Sequence, residues 1–200
     1  MVLEGVAASA AISPATRNQL NGEAKFLRAF FYFYLVNLYG KVPLILNSDY
    51  KQNATAPRAP VADVYSQIVA DLKDAQGLLT DGYLSGDNTS TASRIRPNKA
   101  AASALLARVY LYLGDWATAE AEASAVIKAS STYSLETSLT NVFKTTSKEA
   151  IWQLQPAAAV TYTLEGSYYV LTGAPASSGR NTLSADLFNA FEATDNRKPA

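Results

Sequence analysis

Apolar positions along the chain recur at three- and four-residue steps in several blocks, and this spacing predicts helices. The densest block is Gly22–Pro43, GEAKFLRAFFYFYLVNLYGKVP, in which six aromatic side chains stand between Phe26 and Tyr34. No residue from Ala29 to Val36 is charged. At 3.6 residues per turn Phe26, Phe30 and Phe33 share one face, and Phe31, Tyr34 and Leu38 share the adjacent one. The helix is therefore expected to be apolar almost all round and buried as a central core helix. Its apolar run, bracketed by Arg28 and Asn37, falls far short of the roughly 20 residues a membrane span needs.

Local signals set the expected ends. Ser13 and Pro14 suit an N-cap and a first helical position, and the helix should run to about Tyr39, where Gly40 closes it and Pro43 prevents its continuation. Gly22 costs roughly 1 kcal/mol relative to alanine inside a helix, so a break near Asn21 and Gly22 is one expectation. The connection that follows, KVPLILNSDYKQNATAPRAP, is about twenty residues long, and loops of that length in a compact domain are often functional. Pro60 then opens a second helix to about Thr80. Val61, Val64, Tyr65, Ile68, Leu72, Ala75, Leu78 and Leu79 form its apolar side, and Asp63, Asp71, Lys73 and Asp74 its polar side.

DGYLSGDNTSTASR reads as a polar surface loop. Pro97 begins a third helix that Gly114 ends, and Asp115 caps a fourth running from Trp116 to about Ala129, with Ala119, Ala123, Val126 and Ile127 inward. A two-residue turn between them makes an antiparallel helical hairpin. Beyond Ser130 the apolar residues scatter. EAIWQLQ, Glu149–Gln155, suggests a short strand; the stretch from Pro156 to Arg180 reads as irregular, and Ser184 caps a last helix through Leu187, Phe188 and Phe191.

Composition narrows the chemistry. Seventeen basic and 17 acidic residues give no net charge, which offers no electrostatic footprint for nucleic acid or an anionic membrane. Cysteine and histidine are absent. Disulfides, thiolate or imidazole metal sites and every mechanism that needs a Cys-His or Ser-His pair are thereby removed. There is no GxSxG context, no phosphate-binding GxxxxGK[ST] loop and no EF-hand pattern. The opening MVLEGVAASAAIS lacks the pattern of a secretion signal.

An offset of 74 residues aligns Lys25 with Lys99 and Gly40 with Gly114, so each half is helix, break, helix. Leu106, Ala107, Tyr110, Gly114, Trp116, Ala119 and Ala123 are spaced like a tetratricopeptide repeat. Four blocks then carry a family likeness: GEAKFLRAFFYFYLVNLYGKVPLI, DVYSQIVADLKDAQGLL, RIRPNKAAASALLARVYLYLGDWATAEAEASAVI, and EAIWQLQ with the terminal AFEATDNRK. They resemble the SusD/RagB family of outer-membrane nutrient-binding lipoproteins.

The resemblance implies a mainly α fold of tetratricopeptide-like helical hairpins with long loops and a few short strands. On that reading the chain is one domain fragment, with a first hairpin at 14–80, a second at 97–130 and a loop-rich region at 131–200. It also implies a surface-exposed location at the outer membrane, a lipid anchor outside this stretch, oligosaccharide as ligand, and a SusC-like TonB-dependent transporter as partner. Family members are considerably longer, so the chain is expected to be an internal fragment. No enzyme activity, cofactor or metal is expected, since Glu149, Asp186, Glu192 and Asp195 show no spacing that brings two carboxylates together.

A sugar site needs aromatic faces to stack on rings and polar groups to bond hydroxyls. Asn47, Asp49, Tyr50, Lys51 and Gln52 supply that mixture, the alternative being a solvated connection. Tyr162, Tyr168, Tyr169 and Arg180 form a second set, for which strand packing is the alternative. Trp116, Trp152 and the set Phe26, Phe30, Phe31, Phe33 and Tyr34 are expected in the core, and Arg28 and Arg108 in structural ion pairs. A second functional reading remains: a protein-interaction scaffold that docks on an outer-membrane transporter without sugar affinity of its own.

Overall fold

The computed structural model describes residues 1–155, 184–192 and 195. The chain divides into two units, Met1–Gln153 and Leu154–Ala200. In the first, the helices are α1 (Val2–Ala8), α2 (Pro14–Tyr39), α3 (Tyr50–Asn53), α4 (Val61–Leu78), α5 (Lys99–Leu113) and α6 (Trp116–Lys128). Two antiparallel ladders of two-residue strands interrupt them, β1 (Val42–Pro43) with β2 (Arg58–Ala59) and β3 (Tyr83–Leu84) with β4 (Ser90–Thr91). The fold is mainly α, with long loops and short strands. In the second unit Ser184 Oγ accepts from the Leu187 amide (3.2 Å) and starts a short helix, Ala185–Ala190.

Capping explains the ends of α2. Ser13 Oγ accepts from the Thr16 amide at 3.2 Å, Pro14 occupies the first turn, and Gly40 at φ 69° returns its N–H to Val36. No break occurs at Gly22. A Cβ there would stand 2.7 Å from Leu79 Cγ, so Gly22 is where the end of α4 rests on α2. The two helices run antiparallel, because Lys25 meets Asp74, Arg28 meets Asp71 and Asn37 meets Tyr65. Phe26, Ala29, Phe33 and Val36 thereby face Val64, Ile68, Leu72 and Ala75, and α5 completes the core with Ala102, Leu106 and Val109.

Several buried or exposed positions differ from expectation. Asp71 belongs on the polar side by pattern, yet it is 1% exposed. Arg28 Nε and Nη2 each donate to its carboxylate at 2.7 Å and Gln67 adds a third bond at 3.1 Å. This fork satisfies a carboxylate that burial would otherwise strongly disfavour, and it raises the Arg28 pKa. Arg108, by contrast, is exposed on α5. The aromatic helix is not covered all round: α4 shields one face, while Phe31, Tyr34, Leu35, Leu38 and Tyr39 remain exposed.

Trp116 is 65% exposed and Ile127 is also outward. Trp152 does pack inward, edge-on to Phe26 and Phe30 with ring centroids at 5.1 and 5.3 Å, and its indole N–H donates to the Ile95 carbonyl. The segment around it forms no strand. Individual bonds hold it instead: Gln153 N–H to Arg94 O at 2.9 Å and the Arg94 guanidinium to Ala150 O at 2.5 Å.

The polar stretch before α5 is more than a solvated loop. Tyr83 and Arg94 are both buried, and the guanidinium lies between the rings of Tyr83 and Tyr133, 5.3 and 5.2 Å from their centroids. Arg94 also donates to Thr132 O, and the two phenol oxygens are 2.8 Å apart. Asn98 joins this cluster, donating to Tyr133 Oη and to Asp81 O while accepting from the Ala101 amide as the N-cap of α5. Gly114, left-handed at φ 77°, and Asp115, which accepts from the Thr118 amide, then make the turn into α6.

Candidate functional site

The connection between α2 and α4 is tied at its base to Tyr32 of α2. This side chain is buried, and its hydroxyl accepts from the Ile45 amide at 2.7 Å while standing 3.2 to 3.3 Å from the carbonyls of Ile45 and Pro43. Together with the β1–β2 ladder it closes the base of the loop. Beyond that base the chain caps itself. Asn47 Oδ1 accepts from the Asp49 amide (3.0 Å), and Asp49 Oδ1 accepts from the amides of Lys51 (3.0 Å) and Gln52 (3.4 Å). Asp49 is thus the N-cap of α3. Asn53 Nδ2 returns to the Asn47 carbonyl at 2.9 Å.

These bonds divide the sequence-predicted residues. Asn47, Asp49 and Gln52 spend their polar groups largely inside the loop, the Asn47 amide also reaching Gln52 Oε1 at 3.4 Å. Tyr50 projects from α3 with 74% of its surface exposed, and Lys51 is exposed beside it. Tyr162, Tyr168, Tyr169 and Arg180 lie outside the described residues.

A groove of about 480 Å³ runs between α1, α2 and the stretch 45–47. Phe31, Leu35 and Leu46 form much of its apolar lining, with Glu4, Arg28 and Asn47 contributing polar groups. Phe31 is 59% exposed. An open aromatic face with amide and charged groups at its edge suits a ligand that has both apolar C–H faces and hydroxyls.

The wall opposite α2 comes from α1. Arg17 holds this short helix by donating to the carbonyls of Val6 and Ser9, and Val6 is buried. Glu4 reaches the loop: Oε1 accepts from the Ser48 amide at 3.0 Å and Oε2 from the Ser48 hydroxyl at 2.5 Å. The hydroxyl, then the amide, lower the Glu4 pKa from 4.5 to about 2.

Sequence reasoning missed Phe31, Leu35 and Glu4. A signal for the first two exists, since Ala24, Leu27, Phe31 and Leu35 form their own stripe along α2, separate from the stripe that meets α4. Glu4 carries none, its partner being 44 residues away. Among the described residues no group of three or more His, Cys, Asp or Glu side chains is placed to hold a metal, and no helix is long and apolar enough to cross a membrane.

Residues 1–111 match a SusD-like family model described as "Starch-binding associating with outer membrane". A curated relative, SusD-like protein P2 of Formosa agariphila, is 38% identical over 120 residues, which cover 59% of this chain and 22% of that protein. Among solved structures, a SusD-like protein from Bacteroides fragilis is similar with a TM-score of 0.63 and 30% identity, covering 75% of this chain and 30% of that one. A structure titled "Laminarin binding SusD-like protein" gives a TM-score of 0.59 and 31% identity over 67% of this chain and 29% of the other. The chain thus spans less than a third of the length of each of these proteins.

Proposed function

The chain belongs to the SusD-like family, and from that premise we propose that it contributes to non-catalytic oligosaccharide binding at the bacterial cell surface. The carrying observation is Tyr50, held 74% exposed on a self-capped helical turn of the chain's first long connection, whose residues Ile45, Leu46 and Asn47 line the Phe31 groove. Stacking on such rings, with hydrogen bonds from Asn47 and Lys51, would provide affinity without a reacting group. The laminarin-binding relative supports a glycan as the ligand class. Asp49 and Gln52 act in this reading by shaping α3, and Tyr162, Tyr168 and Arg180 are proposed as a second, separate set of ligand-binding residues.

The wider setting belongs to the same proposal: a lipid-anchored parent protein at the outer membrane, acting with a SusC-like TonB-dependent transporter in glycan uptake. Calorimetry with a panel of soluble oligosaccharides, laminarin fragments among them, tests the binding. Micromolar to millimolar affinity for at least one is expected, and no binding by any glycan overturns the reading.

A second reading, a scaffold that docks on the transporter without sugar affinity, draws support from the exposed apolar residues at the ends of α2 and α5, Leu38, Tyr39, Tyr112 and Leu113. Co-purification with a barrel transporter together with silence in the glycan panel would favour it.

A further inference from the structure

We propose that α1 is a latch on the Tyr50 loop, with Glu4 as a positioning residue that acts through Ser48. Between Asn47 and Pro57 every other side-chain hydrogen bond stays inside the loop, and Ser48 alone reaches out, to Glu4, among the described residues. Without that clasp the loop tip depends on its base, the Tyr32 hydroxyl and a ladder of two residue pairs.

The clasp lies where it controls most. Ser48 immediately precedes Asp49, whose carboxylate starts α3, and Tyr50 is the first residue of that helix. Fixing both the amide and the hydroxyl of Ser48 therefore fixes the direction in which α3 leaves and the ring of Tyr50 points. The latch is itself anchored: Val6 is buried and Arg17 binds the carbonyls of Val6 and Ser9. Glu4 is consequently a fixed post with two acceptors, and both are used.

The consequence for binding rests on the glycan reading of this loop. A ligand that needs the ordered loop binds more weakly in proportion to the fraction of molecules that hold it. An exposed, charge-assisted, two-point clasp is expected to change the open-to-ordered ratio of the loop about fivefold.

The test is hydrogen exchange and calorimetry on the full chain with Glu4→Ala, Glu4→Gln and Ser48→Ala. Glu4→Ala should speed exchange of the Ser48–Asn53 amides about fivefold while the core amides of α4 keep their rates. Glu4→Gln, which retains one acceptor oxygen, should fall between Glu4→Ala and the parent, and Ser48→Ala, which leaves α1 untouched, should loosen the same amides. Unchanged loop exchange, or a rise shared equally with α4, overturns the latch. Affinity for laminarin oligosaccharides should weaken in proportion to the fall in the ordered fraction. Faster exchange with unaltered affinity overturns the positioning role. If the parent chain binds none of the sugars, the glycan reading fails and the exchange data alone judge the latch.

Discussion

Arg28 grips Asp71 from the neighbouring helix through both Nε and Nη2, each at 2.7 Å, on a carboxylate almost wholly out of water. Replacing one partner strands the other's charge in the interface between α2 and α4. Arg28→Ala or Asp71→Ala should each destabilise the fold by about 3 kcal/mol or more, whereas Arg28→Met with Asp71→Leu should recover most of that loss. Urea unfolding of the two single variants and the double variant measures the difference.

Gly22 and Gly77 should answer the same substitution with opposite signs. Alanine at Gly22 gains about 1 kcal/mol of helix propensity but drives its Cβ into Leu79 and Leu78, at 2.7 and 3.2 Å. Overpacking of that kind costs about 1 to 3 kcal/mol, so net destabilisation is expected. Nothing lies within 4 Å of a Cβ at Gly77, and there alanine should stabilise by up to about 1 kcal/mol. Melting temperatures of the two variants give the signs.

Two exposed aromatic residues should separate by function. Tyr50→Ala is expected to weaken oligosaccharide binding about tenfold, in line with the loss of one stacked ring, and to leave the melting temperature unchanged. Trp116→Ser should alter neither quantity, because the ring stands exposed at the start of α6, outside the loop's own sequence. Calorimetry and thermal melts on both variants check this; equal loss of affinity in the two would remove Tyr50 from the site.

The Glu4 clasp carries a pH signature. Its carboxylate titrates at about 2 in the folded chain against 4.5 for the free group, so its contribution is complete above about pH 4.5 and is lost as pH falls through about 2. Facing it are the Ser48 amide and hydroxyl. An NMR titration should show the Ser48 amide shift moving with a midpoint near 2 rather than near 4.5, and Ser48→Ala should bring the Glu4 midpoint upward.

Helix ends are legible in the sequence because the bonds that make them are short in chain distance: Ser13 caps through Thr16, Asp115 through Thr118, and Gly40 and Gly114 take positive φ where the chain turns. The apolar stripe of α4 is legible for the same reason. Burial of Asp71, Tyr83 and Arg94 is not, since each is decided by a partner 38 to 68 residues away. Phe31 and Trp116 show the converse. Hydrophobicity indicates what a residue favours, but coverage depends on how many neighbouring helices arrive, and α2 has more apolar stripes than covering partners. In the candidate loop the residue types and the helix cap are local; the tie to Glu4 is not.

The Arg94 cluster also orders events during synthesis. The contacts that α2 and α4 make with each other are all available once Leu79 has left the ribosome, yet Arg94 must wait until Ala150 is made, 56 residues after itself, before its last carbonyl acceptor exists. Until then a guanidinium destined for the interior stays in water beside Tyr83. The helical layer therefore matures in two stages, and a nascent chain stalled before residue 150 should hold a formed α2–α4 pair with the Tyr83 ring still open to solvent.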